Sequence, residues 1–132
     1  MAAEEEPAVI QACRANDLTC GKACILIWCL PTFALFLGLQ WATARPWLWI
    51  PALLVMGVGC AVNARRCGRV HCYVTGPMFL LAAVYVALAE FGLVPMHPGI
   101  FLLAVLGTAA LACLAELPLG RYKAKAQSQK AG

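Results

Sequence analysis

The chain has 132 residues, 63% of them hydrophobic and only 12% charged, a composition that excludes an ordinary water-soluble domain. Its apolar blocks show no period-two alternation, and a backbone surrounded by lipid must satisfy its own hydrogen bonds, so a barrel is excluded in favour of helices. The formal net charge of +4 is carried by basic residues in the polar segments outside the apolar blocks, which reads as membrane topology and not as a nucleic-acid footprint.

In chain order, residues 1–23 form a polar N-terminal segment. It opens with Glu4-Glu5-Glu6 and lacks the basic region and small-residue cleavage site of a secretory signal. A short surface helix is expected over 7–15, with Asp17 or Thr19 capping the first spanning helix. Four apolar blocks follow, over 25–44, 47–64, 73–94 and 99–119, each near the roughly 20 residues needed to cross about 30 Å of hydrocarbon. The fold class is therefore all-α, an integral membrane four-helix bundle over 24–119, closed by a basic tail over 120–132.

Pro31 falls inside the first span, where it removes a backbone hydrogen bond and predicts a kink. Arg45-Pro46 makes a short turn into the second, which ends with Gly57, Gly59 and Cys60, small residues that permit close approach of another helix. If that helix continues past its apolar block, Cys60, Asn63, Cys67 and His71 recur at spacings of three and four and form one stripe. Gly68 weakens such a continuation. Thr75-Gly76-Pro77 predicts the start of the third helix, with proline in its first turn. Pro95-Met96-His97-Pro98 is a tight turn, and the fourth helix carries Cys113 and Glu116 on one face.

Orientation follows from the basic residues. Arg14, Lys22, Arg65, Arg66, Arg69, Arg121, Lys123, Lys125 and Lys130 occupy the N-terminal segment, the middle loop and the tail, against Arg45 alone on the opposite side. This asymmetry predicts an inner-membrane protein with both termini and the middle loop in the cytoplasm. Trp41, Trp47 and Trp49 cluster at the opposite turn, as indoles do at an interface, and Trp28 lies near the cytoplasmic end.

That topology gives the eight cysteines a common side. Cys13, Cys20, Cys24, Cys60, Cys67, Cys72 and Cys113 all fall in the cytoplasmic half, and only Cys29 lies deeper. A reducing cytosol disfavours a disulfide framework, and free thiols converging with a histidine suit a soft cation such as Hg2+, Cu+, Cd2+ or Zn2+. The candidate metal ligands are Cys20 and Cys24, four apart on one helical face, and Cys67, His71 and Cys72 in the arginine-rich loop. Against this stands the plainer role of any single cysteine as a small buried apolar residue, and acylation is a further use for Cys20, Cys67 and Cys72.

Other chemistry is poorly served. No Cys-x-x-Cys, phosphate-binding loop or dinucleotide fingerprint occurs, and His71 and His97 fall on opposite sides, so nothing points to an enzyme. Two carboxylates, Glu90 and Glu116, lie at span ends. Each either reaches the interface or lines an ion mouth, Glu90 with Met96 and His97 outside, Glu116 with Cys113 and the thiols inside.

The run Asn63-Ala-Arg65-Arg66-Cys67-Gly68-Arg69-Val70-His71-Cys72-Tyr73-Val74-Thr75-Gly76-Pro77 resembles the signature of a family of uncharacterised small prokaryotic four-helix membrane proteins. In size, topology and cytoplasm-facing thiols the chain is also similar to the small mercuric-ion transporters. Those carry a vicinal cysteine pair in their first helix, whereas here Cys24 and Cys29 are separated by four residues. The function expected from these features is binding of a soft heavy-metal ion by thiolates and its passage across the membrane. Cys20 and Cys24 would receive it, and Cys67, His71 and Cys72 would hand it to a cytoplasmic acceptor or reductase. Dimerisation would give so small a unit room for a pathway. The alternatives are an interaction or assembly protein and a thiol redox sensor.

Overall fold

Four apolar stretches, each able to close its own backbone hydrogen bonds, fold into four helices in the computed structural model. It describes residues 8, 11, 15, 18 and 22–119, apart from the side chains of Cys67 and Leu119. Outside that set lie most of the surface helix expected over 7–15, the caps Asp17 and Thr19, Cys13, Cys20 and the basic tail. We number the helices α1 (Lys22–Gln40), α2 (Arg45–Cys67), α3 (Val70–Glu90) and α4 (Pro98–Leu119). All four are long and apolar enough to cross a membrane, and no strand occurs among the described residues.

The break expected at Pro31 takes the form of a π-turn over Ile25–Cys29, in which the Leu30 N–H reaches back to Ile25 O. Proline has no N–H and its ring crowds the carbonyl four residues earlier, so widening the preceding turn relieves both faults. Pro51 and Pro77 are also interior, to α2 and α3.

Here the expected start of the third helix is corrected. It begins at Val70, so Pro77 lies two turns inside it. Gly68 is the cause: with φ 63° and ψ 33° it adopts the left-handed conformation that glycine reaches most easily, and its N–H closes α2 on Ala64 O at 2.9 Å. Only Gly68 and Arg69 separate α2 from α3. The stripe expected from a continuous helix through Cys60, Asn63, Cys67 and His71 is therefore corrected as well, because the chain folds back and sets His71 on a second helix.

The two central helices, α2 and α3, pack most intimately, whereas α1 and α4 leave much of their surface toward the surroundings. Small residues set the closeness. A Cβ at Gly57 would sit 2.8 Å from Leu80 Cδ2 and 3.2 Å from Gly76 O, and one at Gly59 would sit 2.6 Å from Ile27 Cγ2. The small-residue face of α2 is thus filled by α3 and α1 of the same chain.

At the end opposite Gly68, Trp49 corrects the interfacial reading. It is fully buried, its Nε1 donates to Leu35 O at 2.7 Å, and its ring stacks on Phe101 at 5.5 Å, with Tyr85 beyond. Trp41 and Trp47 are exposed, as interface residues would be. Gly38 makes room for the Trp49 indole, since a Cβ there would come within 2.5 Å of Trp49 Cδ1. Gly38→Ala is expected to destabilise the bundle by about 1–3 kcal/mol, the usual cost of overpacking, read as a lower unfolding midpoint in detergent. An unchanged midpoint would show that the α1–α2 contact relaxes freely.

Candidate metal centre

The two-residue turn sets the register of the α2–α3 hairpin. It places Cys60 opposite Thr75, and Asn63 opposite Cys72, with hydrogen-bonding contacts of 3.3 Å and 3.6 Å respectively. Successive residues His71 and Cys72 occupy the first turn of α3 and both point inward, at 3% and 0% exposure. Cys60 Sγ, Cys72 Sγ and a ring nitrogen of His71 then lie within 4.8 Å of one another, all three residues buried.

Each donor is held by a specific neighbour. His71 Nδ1 lies 2.5 Å from Glu116 Oε1, which also accepts the His71 backbone N–H at 3.3 Å. That amide is one of the donors a helix leaves unpaired in its first turn, where a carboxylate also meets the positive end of the helix dipole. With Nδ1 engaged by the carboxylate, Nε2 is left toward Cys72 Sγ, 3.4 Å away. A carboxylate that fixes the tautomer of an imidazole is the usual support behind a metal-binding histidine.

Glu116 is itself anchored by Arg69, whose Nε lies 3.2 Å from Oε1 and whose second terminal nitrogen lies 3.3 Å from Oε2. Both side chains are largely out of solvent, at 12% and 7% exposure. Of the two uses expected for Glu116, mere reach to the interface is therefore excluded: it is a buried strut between α4, the turn and α3. Glu90 is exposed and joins no ion pair among the described residues.

Thr75 donates from Oγ1 either to Cys60 Sγ at 3.3 Å or to His71 O at 2.9 Å, having a single proton for both. Asn63 Nδ2 donates to Cys72 Sγ, while its Oδ1 accepts the Leu18 N–H at 3.5 Å. From α1, the Trp28 ring approaches to 6.2 Å of the His71 ring, centre to centre.

The expected ligand set is thus partly redrawn. His71 and Cys72 come together, but on a buried helical turn and not in a polar loop. Cys24 is half-buried on α1 and lies outside the group. Cys20 and the Cys67 side chain lie outside the described residues. Cys113 and Cys29 are exposed. Cys60, read as one member of a hypothetical stripe but not as a ligand, is the member that sequence reasoning missed. Reading Gly68 as a helix stop would have found it, because an antiparallel hairpin turning there pairs position 60 with 75 and 63 with 72.

The site lies at the end of the bundle that carries Lys22, Arg65, Arg66 and Arg69. Cys60 is six residues before Arg66 on α2, which puts its sulfur roughly 9 Å inside that basic rim at 1.5 Å per residue. Two thiols and an imidazole, dry and close, form a soft donor set suited to thiophilic ions. No family model matches this chain, and comparison with curated proteins and with solved structures likewise gives no match.

Proposed function

We propose that the protein is a membrane-embedded carrier of a soft metal ion, which binds between α2 and α3 and passes inward by ligand exchange among thiolates. The observation that carries this reading is the convergence of Cys60, His71 and Cys72 donors within 4.8 Å, backed by Glu116 on the imidazole. Packing alone explains a buried cysteine, but not a histidine and two cysteines that share a focus with a paired carboxylate behind them.

Under this proposal the basic rim faces the cytoplasm of a cell with an inner membrane, both termini lie on that side, and a cytoplasmic thiol protein or reductase takes the ion. The general similarity to small mercuric-ion transporters makes Hg2+ the first ion to examine. Cys20, Cys24 and Cys67 belong to the route by which an ion reaches or leaves the buried group. No nucleotide is needed, since exchange between thiolates is driven by the sink.

The full chain reconstituted in lipid vesicles, with a fluorescent metal indicator trapped inside, tests this. Hg2+ or Cd2+ is expected to enter faster than into empty vesicles. Entry at the empty-vesicle rate, with the ion still bound, would leave a binding protein and remove the transport step. Binding is also expected to weaken as the pH falls, because each thiol must give up its proton to become a ligand. Affinity measured from pH 8 to pH 5.5 checks this, and a flat profile would show that the thiols are not the ligands.

A further inference from the structure

The metal-binding reading leaves open which ions the group takes and how it lets go. We infer that the centre is built for a divalent soft cation, held by three protein donors as a charge-neutral dithiolate, with a fourth coordination position open to an exogenous ligand. This inference rests on that reading and sharpens it.

Charge comes first. Arg69 and Glu116 cancel one another through a two-pronged contact, and both groups are engaged in it. His71 donates from Nδ1 to the carboxylate and faces the sulfurs with Nε2, so it coordinates as a neutral imidazole. Lys22, Arg65 and Arg66 are exposed, so they leave the interior charge unchanged. Among the described residues the two cysteines therefore remain as the charge to be balanced. Each of their sulfurs has a separate hydrogen-bond donor within reach, Asn63 Nδ2 for Cys72 and, for Cys60, Thr75 Oγ1 when its one proton turns from His71 O to the sulfur. The Asn63 amide is turned that way by the Leu18 N–H on its oxygen. One donor per sulfur suits two acceptors, which is what two thiolates are. Two thiolates with a dication are neutral, whereas a monovalent ion either leaves a net charge in a dry site or leaves one thiol protonated and a ligand lost.

Ligand number comes second. Among the described residues the group holds three donors and no fourth histidine, cysteine or carboxylate, because Glu116 is engaged by His71 and Arg69. Closed structural sites for ions of the zinc type have four protein ligands, whereas sites that exchange a ligand keep three and leave one position open. A buried polar group lies on the neighbouring helix α1. Trp28 Nε1 is buried and has no acceptor among the described residues, and its ring lies against that of His71. Water on the fourth position would give that N–H an acceptor.

An open position makes release possible without charge movement. An incoming thiol first takes the open position with its proton still on it, and the bond from the metal to one cysteine then breaks as that proton passes to the departing cysteine sulfur. Nothing is oxidised or reduced, and the centre stays neutral at each stage.

X-ray absorption on the purified full chain in detergent tests this, with Cd2+ and, under anaerobic conditions, Cu+ as the probes. Cd2+ is expected at one ion per chain, with two sulfurs, one imidazole nitrogen and one further light atom. Adding 2-mercaptoethanol should raise the sulfur count from two to three. Retention of Cu+ by the same residues without retention of Cd2+ would overturn the divalent assignment and leave the metal-binding reading standing. A Cd2+ shell that added thiol does not change would overturn the open position alone. Failure of both ions to bind would remove this inference together with the reading beneath it.

Discussion

Changing Cys60 and Cys72 together to serine is expected to lower the affinity for a soft ion by well over 100-fold while leaving the bundle folded. Supporting groups outside the ligand shell typically contribute 10- to 100-fold to metal affinity, and the loss of two of three ligands must exceed that. Serine keeps nearly the same volume, and Thr75 and Asn63 give each new hydroxyl a polar neighbour. The stability cost should therefore stay near 1–2 kcal/mol, the scale of one imperfectly satisfied buried polar group. Titration with Cd2+ beside thermal unfolding in detergent reads both quantities. The comparison with Cys24→Ser is the informative one, because Cys24 lies outside the group and its loss should leave equilibrium affinity nearly unchanged while slowing delivery. Equal affinity in the double variant and the parent chain would remove Cys60 and Cys72 as ligands.

The second large effect belongs to Glu116. Replacing it by glutamine keeps an oxygen for the His71 N–H but removes the carboxylate charge that the Arg69 guanidinium, only 12% exposed, contacts through two nitrogens. Breaking a buried pair from one side costs up to about 3–5 kcal/mol, and that figure is the upper bound of the stability loss expected here. Metal affinity should fall at the same time by about 10- to 100-fold, since the imidazole loses the carboxylate that fixes its tautomer. These two consequences separate in the double variant Arg69→Met with Glu116→Gln. Removing both charges should restore most of the stability, but the affinity should stay low. If stability and affinity recover together, Glu116 acts only through the fold and not on the imidazole.

Oxidation offers a further use of the same two sulfurs, and it is easily told apart from ion binding. A redox sensor requires Cys60 and Cys72 to form a disulfide, with a sulfur–sulfur bond of about 2.05 Å. Mass spectrometry of the intact chain after mild diamide treatment reads this directly. Under the carrier proposal oxidation simply abolishes ion binding, and reductant restores it.

Much of this molecule is written locally. The apolar blocks had to be helices, because only a helix satisfies its backbone within a single segment in lipid, and this holds whatever the neighbours do. The basic rim and the thiol-rich end follow from the order of those stretches, whereas the turn expected at Arg45-Pro46 lies just before it, over residues 41–44, and Arg45-Pro46 opens α2. Locally, proline at position 77 reads as the beginning of a helix, whereas α3 accommodates it within its interior. Gly68, one residue with φ of 63°, decided the matter instead.

What no local pattern supplies is the meeting of groups from different helices. Cys60 became a ligand, and Glu116 a strut, only because a two-residue turn fixed the hairpin register and α4 returned to the same end. Trp49 likewise left the interface for the interior because Gly38 made a space for it on another helix. Hydrophobicity and backbone hydrogen bonding act along the chain, so composition alone determined the four helices. A coordination site depends on distances of a few ångströms between residues up to 56 positions apart, from Cys60 to Glu116, and these were settled by packing.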